Sequence, residues 1–377
     1  MAAHNTALVL VAICVQVANA WVPPAVGRIG ALAARPGLSA AGRSAGFAPL
    51  KMGLEIANDG EDEDAEEGIN WMPPLTMTAD VEKEDGAQVF PLFPLGSVVY
   101  LPNTEHILSI FEPRYRSMYN DILLSGGRSF ATCMVNEETG QFAETAMIFY
   151  LDELKEVSQQ TNDQVKYICK HQATRRVNLK KVLNPKVWKD GSTYLKVQVE
   201  DLEDVDTEET YPDDDQLLMQ VFREVVDLQD KLKEEPRFSP TLFSMFNSET
   251  NLEDEEVWSL VNLWQTLANE RVGAVRKKKT DEIEAKLMKY ITKDGKVSPK
   301  AGQVEIPKSL QVEITAMTNK FRREMAEMTD LTTVPFQRML QTNRRQERVT
   351  ILYKLIMDEK RRLEAIVSLK ALFPTAP

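Results

Sequence analysis

The sequence predicts an α+β chain in which a β-barrel domain is followed by a C-terminal helical bundle. Short apolar runs separated by turn residues dominate up to about residue 204, whereas apolar residues recur at helical spacing after residue 215. The chain has 377 residues, of which 43% are apolar and 27% charged. It is therefore long enough to bury a sizeable core and to hold two folded units.

Residues 90–102, with the sequence FPLFPLGSVVYLP, open the predicted barrel. Pro91 and Pro94 cannot donate a hydrogen bond to a ladder, so they belong at a strand start, an edge or a bulge. We therefore expect a kinked edge strand, with Gly96 at a position of unusual backbone dihedral angles and Pro102 at the start of a turn.

A second apolar run is predicted as a short strand that ends at a strand-to-helix corner. Pro113 suits the first turn of a helix, and Glu112 lies near the positive end of the helix dipole. Gly126 and Gly127 can end this helix. Its predicted buried face has apolar residues at i, i+3, i+4 and i+7, which are Tyr115, Met118, Tyr119 and Ile122.

Strands continue to dominate until about residue 204. Seven strands with one inserted helix favour a closed or half-closed barrel, which we place at residues 87–204. The predicted strands are 97–101, 107–111, 129–135, 142–150, 164–171, 174–182 and 193–200.

A helical domain is predicted for residues 216–377, after an acidic linker at 205–215. Three stretches of this domain, which begin near Leu217, Val257 and Val349, carry apolar residues along one helical face. A charged loop around residues 295–307 divides the predicted bundle.

Three segments precede the barrel. Residues 1–20 hold a short apolar run followed by Ala-Asn-Ala, which is typical of a signal peptide. Residues 21–51 contain basic but no acidic residues, as transit peptides do, and residues 52–86 are predicted to be a disordered acidic leader. The tandem signals, with Trp21 after the expected cleavage site, resemble the bipartite presequence of algae whose plastids derive from a red alga. They imply a location in the plastid (chloroplast) stroma, and an ordinary secreted protein is the alternative.

The charge of the chain argues against nucleic acid as a partner. The formal net charge is -12, and removing the four cations of residues 1–51 changes it to -16. Contacts with phosphate need a cationic face. The basic run at 276–279 is followed by acids and has no interleaved aromatic residues, which favours a solvated helix face. We expect no nucleic-acid partner and no stable membrane span.

No motif in the sequence supports catalysis or metal binding. His106 and His171 are single histidines with no nucleophile nearby, and the chain has only three cysteines. Cys133 and Cys169 fall in predicted strands, where buried thiols are expected and a disulfide or redox pair is the alternative. We predict no catalytic residue, no metal and no cofactor.

The proline spacing of residues 90–102 occurs together with an Ile-Phe-Glu-Pro-Arg-Tyr corner. This combination resembles the N-terminal domain of the Lon proteases, and above all the stand-alone plastid and bacterial proteins built around that domain. The resemblance implies a PUA-like β-barrel followed by helices, which Lon uses to capture unfolded or tagged substrates. The motif residues are Pro91, Leu92, Pro94, Leu95, Gly96, Val98, Pro102, Ile110, Phe111, Glu112, Pro113, Arg114 and Tyr115.

The resemblance does not imply proteolysis. The only Gly-Lys pair, Gly295 and Lys296, is followed by Val297 and has no glycine five residues earlier, so it does not form the phosphate loop of an ATPase. The Ser-Lys protease domain of Lon would need a long further segment. We therefore expect a protein that is not an enzyme.

The corner supplies the candidate binding residues, and two interpretations stay open. In one, Ile110, Phe111, Glu112, Arg114 and Tyr115 border a groove for extended polypeptide. In the other, Ile110 and Phe111 are core residues and Arg114 pairs with a carboxylate to hold the corner. Five motif residues are expected to be structural: Pro91, Pro94, Gly96, Pro102 and Pro113.

These observations favour a non-catalytic protein-recognition module that acts in plastid protein quality control or client delivery. Its expected partners are unfolded or specific client proteins, together with a separate plastid protease or chaperone. The alternative is a structural or assembly factor bound to a plastid protein complex.

Overall fold

The structure is a computed structural model that describes residues 68–75, 80–96, 98–136, 138–206, 209, 211–246, 251–294 and 308–372, with the backbone alone for 288–294. The predicted signal peptide, transit peptide and charged loop, as well as most of the acidic leader, lie outside the described residues.

Six strands form one mixed sheet in the order β2-β5-β4-β3-β1-β6. The pair β1 and β3 is parallel, and the other pairs are antiparallel. An additional pairing of β5 with β6 folds the sheet back on itself. The strands are β1 (Gln88–Gly96), β2 (Glu105–Ile110), β3 (Ser129–Val135), β4 (Thr145–Glu156), β5 (Tyr167–Val182) and β6 (Leu195–Asp201).

This six-stranded sheet replaces the predicted seven strands of a closed or half-closed barrel. The predicted strands 164–171 and 174–182 are one strand of 16 residues, β5. Its pairing with β4 continues through two register shifts, so a local irregularity does not end the strand. Residues 98–101, predicted as a strand, are not in one, whereas β1 lies directly before them.

β1 is not the predicted kinked edge strand, because it lies between β3 and β6. Its register with β6 ends at Leu92, where its register with β3 begins. In the described chain, residues 88–91 are therefore paired with β6 alone and residues 93–96 with β3 alone. Pro91 and Pro94 each lie in a half of β1 with one unpaired side, and on that side no backbone N–H has to donate to a strand. Gly96 is the last strand residue and is paired with Val135.

The first helix confirms the predicted corner. Helix α1 (Pro113–Leu124) has proline in its first turn, and Glu112 precedes it in an extended conformation. Gly126, with φ +75°, follows the helix in the left-handed conformation that glycine adopts without strain. The four residues predicted for the buried face are the ones that are buried: Tyr115, Met118, Tyr119 and Ile122.

The remaining helices follow the sheet, apart from a four-residue helix, α2 (Val187–Asp190), inserted before β6. None of the helices in the described part of the chain combines the length and apolar character needed to span a membrane. They are α3 (Pro212–Leu232), a 3₁₀ turn (Pro240–Met245), α4 (Asp254–Asp294), α5 (Lys308–Gln341) and α6 (Arg345–Leu372).

Two main clusters of buried apolar side chains lie on opposite faces of the sheet. Alternate residues of β4 separate them, since Met147 and Phe149 belong to one cluster and Ala146 and Ile148 to the other. The first cluster also contains α1 and residues of α3, α4 and α6, so the C-terminal helices share a core with the sheet. A third, small cluster joins α4 and α5.

Two acidic segments are more ordered than their composition indicates. Within the predicted leader, Met72 is buried and donates its N–H to the carbonyl of Phe142 at 2.8 Å. Within the predicted linker, Asp206 and Asp215 are buried, and α3 already begins at Pro212. The boundaries of the folded units themselves stay predictions.

Candidate functional site

Two arginines hold the strand-to-helix corner. Arg114 donates from Nε to Glu112 Oε2 at 2.9 Å. Arg116 donates from Nε to the carbonyl of Phe111 at 2.8 Å and from Nη1 to Asp163 Oδ1 at 2.9 Å. These bonds tie the end of β2, the start of α1 and the loop before β5 to one another.

The structure separates the predicted binding residues instead of bringing them together on one surface. Ile110 and Tyr115 are 1% and 2% exposed, and the ring of Tyr115 stacks on that of Phe93 with centroids 3.8 Å apart. Glu112 and Arg114 are half-buried and paired with each other. Burial raises the pKa of Glu112, and the adjacent Arg114 guanidinium opposes that shift.

Phe111 differs from its neighbours because its side chain is 40% exposed. The interpretation that both Ile110 and Phe111 are core residues therefore holds for Ile110 alone. Tyr115 faces the core, so it does not border a groove as the first interpretation requires. Phe111 is the residue of the corner that presents a large apolar side chain to solvent.

An exposed apolar patch on the outer face of β2 and β5 continues from Phe111. Ile107 is 71% exposed and Ile168 39% exposed. Ile107 is paired with Lys170 and Ser109 with Ile168, so the two isoleucines are diagonal neighbours across the two strands. Since residues 107, 109 and 111 have the same parity, all three lie on this face. We call Ile107, Phe111 and Ile168 the outer patch.

Ion pairs surround the outer patch. Lys170 Nζ lies 2.8 Å from Glu105 Oε1 and 3.9 Å from Asp152 Oδ2. At the other end of the patch, Arg116 is paired with Asp163. These ion pairs give the patch a polar border at both ends of β2, and on the β4 side the exposed Lys155 lies across from Ile168. Such borders are typical of surfaces that bind a partner.

The inner face of β2 fixes the strand that carries the patch. His106 lies parallel to the ring of Phe149, with centroids 5.5 Å apart, and edge-on to Tyr100 at 4.6 Å. His106 Nε2 is 2.7 Å from Thr104 Oγ1. Leu108 packs against the main core, and Ile110 belongs to it. The outer residues are therefore held on a rigid element.

Sequence reasoning missed Ile107 and Ile168. The run from His106 to Phe111 has apolar residues at both parities, so the alternation that identifies the exposed face of a strand is absent from it. The pairing of β2 with β5, which brings Ile168 to Ile107, is a long-range contact that no local pattern contains.

The described residues do not hold a group of three or more histidine, cysteine, aspartate or glutamate side chains able to bind a metal. Cys133 and Cys169 are free and buried. Burial raises the pKa of Cys169 to about 12 and that of Cys133 upward as well, so both thiols stay protonated and are poor nucleophiles near neutral pH.

Comparison with known proteins gives limited similarity. No family model matches the chain, and no curated protein matches it. A Lon N-terminal domain protein from Xanthomonas campestris has a similar structure with 21% identity and a TM-score of 0.29, over 43% of this chain and 91% of that one. The N-terminal domain of a Mycobacterium avium complex Lon protease has 9% identity and a TM-score of 0.29, over 64% of this chain and 98% of that one. Scores this low carry no argument about this chain.

Proposed function

We propose that the chain is a non-catalytic protein-recognition module that binds unfolded or client polypeptides at the outer patch. The observation that carries this proposal is the exposure of Ile107, Phe111 and Ile168 on one rigid face inside a polar border. The resemblance of the sequence to the N-terminal domain of Lon supports it, since Lon uses that domain to capture substrates.

The size of the patch is suited to weak, reversible capture. Burying one large aliphatic or aromatic side chain contributes roughly 1.5–3 kcal/mol, and association itself costs at least about 4 kcal/mol. The three side chains are 71%, 40% and 39% exposed, so burying what is exposed contributes roughly 2–5 kcal/mol, which about offsets the cost of association. The patch alone therefore binds weakly, and weak binding permits the release that a module needs if it passes clients on.

Further parts of the proposal rest on the sequence. They are a PUA-like barrel arrangement of the sheet, a location in the plastid stroma, and delivery of clients to a separate protease or chaperone. The presequence that supports the plastid location lies outside the described residues.

The first prediction concerns client binding. Ile107→Ser should weaken the affinity for a permanently unfolded probe, reduced and carboxymethylated α-lactalbumin, by about tenfold, because it removes roughly 1.4 kcal/mol of apolar contact. Fluorescence anisotropy of the labelled probe measures this affinity.

Val312→Ser is the matched control, since Val312 is 69% exposed on α5 and lies far from β2 in the sequence. It should leave the affinity unchanged. Equal losses in the two variants, or no binding of the probe by the unaltered chain, would contradict the proposal.

The α4–α5 pair favours the second candidate function, an assembly factor of a plastid complex. These two helices have their own small cluster of buried residues, joined by Lys279–Glu324 and Lys286–Glu313 ion pairs. They offer a long surface that client capture does not require. Comigration with a single large complex on native gels would support this function, whereas binding to many clients would exclude it.

The second prediction concerns location. A fluorescent protein fused after residues 1–60 should enter the plastid of an alga that uses bipartite presequences, because the signal and transit segments act in series. Trp21→Ala should leave the fusion outside the plastid, and the neighbouring Val22→Ala should not. Secretion of the unaltered fusion into the medium would show that the plastid proposal is wrong.

A further inference from the structure

The outer patch lies beside an unpaired strand edge. β2 is at one end of the strand order, with β5 as its neighbour. In the described part of the chain, no backbone group of another element donates to or accepts from residues 105–109 on the side away from β5. That edge therefore offers a row of N–H and C=O groups that only another extended backbone can match in spacing.

This edge lacks the usual protection against strand addition. Exposed edges commonly carry lysine, proline or a bulge, and His106, Ile107, Leu108 and Ser109 include none of these. The register with β5 runs through six consecutive pairs without a shift. The acid at the start of the strand, Glu105, is bound to Lys170.

The charge around the edge favours an uncharged occupant. At the two ends of β2, Glu105 is paired with Lys170 and Arg116 with Asp163, so a charged segment at this edge gains no unpaired partner among them and loses hydration. The packing of His106 against Phe149 already holds β2 extended, so an added strand does not have to order it.

We infer that an uncharged, extended segment of an unfolded client pairs with the edge of β2 as an additional strand. Its alternate apolar side chains then lie beside Ile107 and Phe111, across from Ile168. This inference rests on the proposed function and specifies how the client binds: by its backbone as well as its side chains.

The test uses the full chain and a short, end-blocked, fluorescent peptide of alternating valine and serine, with a twin whose internal amides are all N-methylated. The twin keeps the side chains but has no N–H groups to donate. It should bind about tenfold more weakly or worse, since several backbone hydrogen bonds are lost. The unmodified peptide should also slow amide hydrogen exchange in residues 106–110.

Equal affinities for the two peptides would overturn the inference. If Ile107→Ser still weakened binding of the unfolded probe in that case, the proposed function would stand with side-chain contacts alone. Protection of residues 106–110 that rises with protein concentration in the absence of peptide would also overturn it, because a second copy of the chain would then occupy the edge.

Discussion

At the scale of the residue, His171 of β5 is a buried side chain with a polar contact at each ring nitrogen. It is 0% exposed, and Tyr119 Oη lies 2.7 Å from its Nε2. Its Nδ1 is 3.4 Å from the carbonyl of His106, so the tautomer protonated at Nδ1 satisfies both contacts. Burial lowers the pKa of His171 to about 4, which keeps the ring neutral in the folded chain.

The third prediction follows from that pKa. The unfolded chain protonates His171 near its ordinary value of 6.5 and the folded chain does not, so the free energy of unfolding falls as the pH falls from 6.5 toward 4. Between pH 6.5 and 5 the loss from His171 should be about 1.5 kcal/mol. Urea titrations at the two pH values measure it.

His171→Gln is the matched variant, because an amide keeps a polar contact with Tyr119 but does not titrate in this range. Its free energy of unfolding should depend on pH less than that of the unaltered chain, with His106, whose pKa burial also lowers, contributing the remainder. The same dependence in both proteins would mean that His171 is not kept neutral by the fold.

At the scale of the element, the sequence predicts α1 completely and β1 poorly. Helix α1 is specified by local signals: proline in the first turn, apolar residues on one face and glycine after the end. The prolines of this run predict an edge, because proline cannot donate a hydrogen bond to a second neighbouring strand. The parallel pairing with β3 and the change of partner at Leu92, which place the run between β3 and β6 with one partner for each half, depend on residues far along the chain.

At the candidate site, too, local signals could be predicted from the sequence and long-range contacts could not. The corner was found from Pro113 and its neighbours, yet the exposed residues beside it include Ile107 and Ile168, which only the fold brings together. Burial of Tyr115 could be predicted from helical spacing, which placed it on the inner face with Met118. The interpretation of Tyr115 as a groove residue conflicted with that spacing, and the spacing was the better guide.

At the scale of the whole molecule, a buried ionic cluster connects the sheet to the helices. Asp204 accepts hydrogen bonds from Arg176 of β5, at 2.5 Å, and from Arg348 of α6, at 2.8 Å. Arg348 also donates to Asp254 at the start of α4 and lies over the ring of Trp258 at 4.1 Å. Burial alone would raise the pKa of Asp204, but the hydrogen bonds and charges of the two arginines hold it below the ordinary value.

Because residues 201–215 are strongly acidic, the sequence does not indicate that some of these acids form buried ion pairs with the helices. Acidic runs are usually solvated, and a linker was the prediction. Asp206 instead accepts the N–H of Arg345 at the start of α6, and Asp215 pairs with the Arg345 side chain at 3.0 Å. In both contacts Arg345 lies more than a hundred residues from the acid, beyond the reach of any local pattern.

The fourth prediction tests whether the ionic cluster stabilises the contact between the sheet and the helices. Arg348→Met keeps a long side chain against Trp258 but leaves Asp204 with Arg176 alone and removes the Arg348 partner of the half-exposed Asp254. Because no buried charge is left without a partner, the expected loss is that of hydrogen bonds to charged groups, about 2–3 kcal/mol. The midpoint of urea unfolding should fall, while the slope of the free energy of unfolding against urea concentration stays the same, since the sheet and helices share one core and should unfold together.

Arg361→Met is the control, because Arg361 lies on the same helix and pairs with Asp358 at the exposed surface. It should hardly move the midpoint. An Arg348→Met midpoint no lower than that of the control would mean that apolar packing alone holds the sheet and helices together.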